Sequence, residues 1–233
     1  MRSWPVSEPL HILWDWNGTL LDDTRAALDT LNIMLGRRHR PGIAMDFYRD
    51  HFAFPVRPFY ESIGVCLERE DWDALAREYH DTYLGQRRAL NAQAVAALEA
   101  AAAHDVRQSV VSALREDLLL GEIEAFGLTR YFTYMRGTDN LDGASKLDRA
   151  RALVAELRAA EPCVRIVMIG DALHDHEVAT ALGVGCVLCA QGSHAAWRLE
   201  AVAPTAPTLV EAVALAVRGA DRNTGKKTEV SHA

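Results

Sequence analysis

The sequence predicts a doubly wound α/β fold, a parallel sheet with helices on both faces, interrupted by one all-helical insertion. Three observations lead there. Apolar runs of strand length recur along the 233 residues without polar–apolar alternation, as expected of strands covered on both faces. Stretches with apolar residues three and four apart separate the later runs, and strand–helix alternation builds a parallel sheet. From about residue 24 to residue 90, however, only helical patterns occur.

Taken in order, "LHILW" (10–14) is the first expected strand. The insertion follows, with helical stretches "TRAALDTLNIML" and "DWDALAREYHDTYLGQRRAL" on either side of "FAFPVRPFYESIG", which is punctuated by aromatics and proline. Later strands are expected at "VRQSVV" (106–111), "RYFTYM" (130–135), "VRIVMI" (164–169) and "VGCVLCA" (184–190). Helices are expected at "LREDLLLGEIEAFG", "KLDRARALVAELRAAE" and "HDHEVATALG". The domain reading is a core of residues 1–23 and 91–220, a helical cap of residues 24–90, and a polar, disordered tail of residues 221–233. The insertion leaves directly after the first strand's loop and returns just before the next core element, which suits a lid.

Composition narrows the function. A net charge of −7 argues against non-specific nucleic-acid binding, which needs a basic face. No apolar stretch approaches the ~20 residues of a membrane span. The first residues, "MRSWPVSEP", lack the apolar centre of a secretory signal, so a cytoplasmic location is expected. Cys66, Cys163, Cys186 and Cys189 do not make a small-domain disulfide framework. The C-x-x-C at 186–189 lies in an apolar run, and buried packing is expected there in preference to zinc or redox chemistry.

The chemistry gathers at strand ends. Asp15 ends the first strand, Ser112 the second, Lys146 opens a helix in "GASKLDRA", and Asp171 and Asp175 follow the fourth strand in "VMIGDALHD". Ligands of open α/β sheets bind outside the carboxyl ends of the strands, so these residues can converge. Together they suit phosphoryl transfer. A carboxylate can attack phosphorus, a hard cation takes carboxylate oxygens, and lysine and serine can stabilise the phosphoryl oxygens. Arg57 and Arg115 are candidates for gripping a substrate anion. His174 and His176, at i and i+2, do not share a helix face, and capping or surface placement is expected for them.

The motifs "DWNGT", "SVVS", "SK" and "GDALHD" resemble those of the haloacid dehalogenase superfamily, over about residues 9–215. The likeness is to its capped, phosphoglycolate-phosphatase-like members, whose cap entry resembles "FPVRPFY". The resemblance implies a Rossmann-like core with Asp15 as nucleophile, and Mg²⁺ on Asp15, the Asn17 carbonyl and Asp171. It also implies Asp175 in support of the metal, and phosphoryl contacts from Thr19, Ser112, Ala113 and Lys146. The expected partner is a small phosphorylated metabolite, and the expected protein a monomer or homodimer.

One position departs from the pattern. The family places a second aspartate, the acid–base catalyst, where this chain has Asn17. An amide is neither a useful acid nor a useful base, and loss of such a catalyst typically costs ~10²–10⁴ in rate. A degenerate binding or scaffold protein is therefore the alternative reading, and His174 is the substitute base the sequence offers.

Overall fold

The computed structural model describes residues 8–139 and 146–223. The chain begins with β1 (Leu10–Trp14) and the two-residue β2 (Leu21–Asp22), and then α1 (Thr24–Arg37), α2 (Met45–His51), α3 (Val56–Ser62) and α4 (Trp72–Leu84). Next come β3 (Ala89–Leu90), α5 (Ala94–Ala103), β4 (Arg107–Arg115), α6 (Glu116–Ala125), β5 (Tyr134–Thr138) and α7 (Lys146–Ala160). The remainder is β6 (Arg165–Gly170), α8 (Leu173–Leu182), β7 (Gly185–Cys189), α9 (Ala196–Glu200), β8 (Thr205–Ala206) and α10 (Leu209–Asn223).

The main sheet has six strands in the order β5-β4-β1-β6-β7-β8, and every neighbouring pair is parallel. The unbroken apolar runs have the reason expected of them. On one face Ile12, Val110 and Ile169 pack with residues of α5, α6 and α10. On the other, Leu13, Val111 and Met168 pack with α7 and α8. Successive side chains of a strand point to opposite faces, so both halves of each run are buried. Cys189 joins the first core and Cys186 borders the second. The two thiols thus face opposite sides of the sheet, and burial raises each to about 12.

Three expectations need correction. The strand expected at 130–135 starts later, at Tyr134, after a short 3-10 turn at Thr129–Tyr131. Its second half, "RGT", looks like a turn, yet Gly137 is required because a side chain there would strike the backbone at Leu114 and Glu116. The insertion is not helical throughout, since β2 and β3 pair antiparallel and bring its two ends together. Residues 221–223 belong to α10 rather than to a disordered tail, and residues 224–233 lie outside the described residues. No helix among the described residues is long and apolar enough to cross a membrane.

Between β2 and β3, the helices close on a core of their own. Leu28, Leu31 and Leu35 of α1 meet Tyr48 of α2, Phe59 and Tyr60 of α3, and Leu75 of α4. Asp71 caps α4 by accepting from the Ala74 amide at 2.8 Å, a stabilising N-cap contact.

Candidate active site

The site begins where β1 stops. The Asp15 amide continues the ladder by donating to the Ile169 carbonyl at 2.8 Å, so its side chain is fixed at the strand's carboxyl end. The chain then turns through Gly18, whose φ of 77° is a left-handed conformation that costs glycine little. A Cβ at Gly18 would also collide with the Asp171 carboxylate.

Asp15, Asp171 and Asp175 bring one carboxylate oxygen each to within 4.8 Å of one another, and all three are buried. Lys146, also buried, donates to Asp15 and to Asp175, the latter at 2.6 Å. Asp175 Oδ2 accepts the amides of Asp171 and Ala172 at 3.2 and 3.0 Å and so holds the start of α8. Asp171 Oδ2 accepts from the Ser193 amide and hydroxyl, both at 2.6 Å, and its Oδ1 from Thr19 Oγ1 at 3.0 Å.

Burial dominates the electrostatics. It pushes Asp15 well above the usual carboxylate range against the pull of Lys146, and Asp175 and Asp171 add to the rise. It raises Asp171 to about 6, with Asp175 adding to the rise. For Lys146 burial acts in the opposite direction, but the Asp15 and Asp175 carboxylates override it and hold the ammonium above its ordinary value. Three buried carboxylates against one lysine leave an excess of negative charge equal to that of a divalent cation. The donor set is all oxygen, which fits a hard cation such as Mg²⁺.

Asn17 is held on both sides. Its Oδ1 accepts from Ser112 Oγ at 3.3 Å, and its Nδ2 donates to Asp23 Oδ2 and to Tyr83 Oη, each at 2.9 Å. Tyr83 Oη in turn donates to Asp23, whose other oxygen accepts the Gly18 amide at 2.6 Å. Burial raises the Asp23 carboxyl, opposed by the donors Tyr83, Asn17 and Gly18. The sequence reading did not single out Asp23, Tyr83 or Ser193. Ser193 follows the carboxyl end of β7, and that position was the available signal for it.

A cavity of about 210 Å³ opens over the cluster, and Asp15, Asn17, Ala113, Lys146, Asp171 and Asp175 line it. Its far wall comes from α1–α4 and the segments joining them, including Tyr48, Phe54, Tyr60, Trp72 and Tyr79. Ser112 and Thr19 sit beneath this surface, fully buried, against Asn17 and the two carboxylates respectively. Two expected residues lie elsewhere. The Arg57 guanidinium stacks at 4.1 Å over the Trp72 ring and is exposed. Arg115 is exposed and bonds Asp117 at 2.8 Å. Neither is part of the cavity wall. His174 lines the cavity, with its ring 5.1 Å from that of Phe54, whereas His176 lies near Thr180 on the helix surface.

A parallel sheet with a buried carboxylate–lysine cluster at its strand ends is an arrangement suited to phosphoryl transfer. Residues 12–189 match the model of the haloacid dehalogenase-like hydrolases, and the chain belongs to that family. It is 28% identical over 191 residues to the phosphoglycolate phosphatase of Caulobacter vibrioides, covering 78% of this chain and 79% of that protein. It is 26% identical over 196 residues to the tyrosine-protein kinase PtkA of Mycobacterium tuberculosis, covering 81% of this chain and 64% of PtkA. Among solved structures, a predicted phosphatase from Clostridium acetobutylicum superposes with a TM-score of 0.72 at 16% identity, covering 91% of this chain and all of that one. The PtkA structure superposes at 0.71 with 24% identity, covering 89% and 98% of the two chains. At these identities the superpositions speak for the fold.

Proposed function

We propose that this protein is a Mg²⁺-dependent phosphatase that hydrolyses a small phosphorylated molecule through a phosphorylated Asp15. The observation that carries the reading is the Asp15 carboxylate at the floor of the cavity, joined to Lys146 and within reach of Asp171. One relative is named for removing phosphate from an ester and another for phosphorylating tyrosine. Phosphoryl transfer is common to both names.

In this reading an Asp15 oxygen attacks phosphorus in line with the leaving oxygen, and water later cleaves the acyl phosphate. Lys146 offsets charge on the transferring group. Ser112 fixes the Asn17 amide, and the Ala113 backbone borders the phosphoryl site. Thr19 and Ser193 orient Asp171, and Asp175 holds Lys146 and the start of α8. Asp15, Asp171 and the Asn17 carbonyl would hold Mg²⁺, which supplies charge neutralisation at the phosphoryl oxygens when bound. The helices of residues 24–90 serve as a lid that excludes water and orders the substrate.

Phosphate release from a panel of phosphorylated compounds tests the proposal. Activity should require Mg²⁺, disappear in excess chelator, and be lost in Asp171→Ala together with Mg²⁺ binding measured by calorimetry. Full activity in chelator would overturn it.

A further inference from the structure

We infer that the substrate is a phosphate monoester of an apolar, aromatic alcohol with no second anionic group. This rests on the hydrolytic reading above and deepens it. Two independent features of the cavity point the same way.

The first is the wall opposite the carboxylates. Phe52, Phe54, Tyr60, Trp72 and Tyr79 face the cavity, and their rings run in contact from α2 to α4. Phe52 meets Phe54 at 5.3 Å between centroids, Tyr60 meets Trp72 at 6.1 Å, and Tyr79 stacks on Tyr83 at 5.9 Å. Aromatic walls bind rings by stacking and edge contacts. Among the described residues lining the cavity, Lys146 is the one Lys or Arg, and Asp15 and Asp175 already engage it. No arginine of the insertion lines the cavity; Arg38 holds Glu70 and Glu78, Arg37 holds Glu78, and the Arg57 guanidinium lies over the Trp72 ring. The imidazoles of His80 and His174 complete the polar part of this wall. The carboxylate of a phosphorylated acid would thus meet rings and two imidazoles, with no Lys or Arg of this wall to balance its charge, which is costly.

The second feature is Asn17. An alkoxide leaving group needs a proton from an acid at this position, and the amide has none to give. A phenolate leaves without one. Asp15 forms its bond to phosphorus as the phosphorus–oxygen bond to the ring breaks. The electron pair departs with the phenolate, which takes a proton from solvent. Water then attacks the acyl phosphate, yielding inorganic phosphate and free Asp15. Wall and leaving group therefore select the same chemical class.

The experiment compares 1-naphthylmethylphosphonate with phosphonoacetate by calorimetry on the full chain with Mg²⁺, and 1-naphthyl phosphate with 2-phosphoglycolate in steady-state kinetics. The naphthyl phosphonate should bind about tenfold tighter or better, as burial of a ring against apolar side chains predicts. Trp72→Ala should lose most of that margin while leaving phosphonoacetate binding unchanged. Ala76→Arg, which puts a cation on the wall, should narrow the margin from the other side. Equal or tighter binding of phosphonoacetate would overturn the inference, as would a lower KM for 2-phosphoglycolate. If the naphthyl phosphonate binds as expected but no ester is turned over, the hydrolytic reading fails and the assignment of the pocket stands.

Discussion

Asp15 and Asn17 stand two residues apart on the same turn and have opposite consequences. Asp15 is a buried carboxylate held by Lys146 and Thr19, and its removal leaves no nucleophile at the carboxyl end of β1. Asp15→Ala should therefore retain the fold by circular dichroism and lose turnover by at least about 10³-fold, the scale on which removal of a covalent nucleophile reads. The amide at 17 is locked by Ser112, Asp23 and Tyr83, so it organises the turn without donating a proton. An aspartate at 17 would lie beside Asp23, and two carboxylates that close cannot both ionise easily. The pair would retain a proton and restore an acid. Asp15 and Asp171 could be read because buried apolar runs end directly before them, and Lys146 and Asp175 because they stand in the first turns of the helices α7 and α8. Asp23 could not. Asp22 and Asp23 are adjacent carboxylates, and only the extended ribbon at β2 turns the first outward and the second inward.

Between elements, the insertion is latched to the core at the end of α2. Arg198 of α9 donates to the Arg49 and Phe52 carbonyls at 2.8 and 2.9 Å, where a cation also meets the negative end of the helix. Arg49 Nε donates to the Gly192 carbonyl at 3.1 Å, and Trp197 Nε1 to Asp50 at 3.0 Å. Arg198→Ala should release the latch at a cost of about 1.5–3 kcal/mol in closure, the range for hydrogen bonds to charged donors. Amide hydrogen exchange of residues 45–52 should accelerate, and kcat/KM should fall about tenfold or more, while the exchange of β1 and β6 is unchanged. Unchanged exchange in α2 would show that the contact does not hold the lid. The strand–helix order of the core was readable from periodicity. The latch was not, because it joins residues roughly 150 apart through backbone carbonyls, which carry no sequence signal. Arg57 lies outside the cavity wall for a related reason: its helix is legible, but the face it presents depends on how Trp72 packs.

At the scale of the molecule, stability and activity meet in the loop that carries Asp171. The buried His194 ring accepts the Leu173 amide through Nδ1 at 2.9 Å and so holds the start of α8 beside Asp171. Burial, with Arg198 adding to it, lowers this imidazole to about 4 from an ordinary 6.5. A folded-state pKa below the unfolded one favours the neutral ring. Its stabilisation is complete above the unfolded value and is lost as pH falls through about 4, with a total on the order of 3 kcal/mol. The His194 contribution to the urea midpoint should therefore decline between pH 6.5 and 4, against the opposite contributions of the raised Asp15, Asp23 and Asp171 carboxyls, and His194→Asn should remove it. His11, lowered to about 4 mainly by burial, makes a like contribution that the variant keeps. An unaltered slope in His194→Asn would remove His194 from this role. The central claim concerns the phosphorylated Asp15, and it has one direct measurement. The protein is mixed rapidly with 1-naphthyl phosphate and Mg²⁺, quenched in acid, and digested, and the Asp15 peptide is weighed alongside that of Asn17→Asp. With no base at 17, the Asn17 protein should show a burst of naphthol and a phosphorylated Asp15 peptide that persists. Asn17→Asp should turn over faster by part of the ~10²–10⁴ that acid–base catalysis supplies, with less phosphorylated peptide. Turnover with no burst and no phosphoryl group on Asp15 in either form would contradict the account.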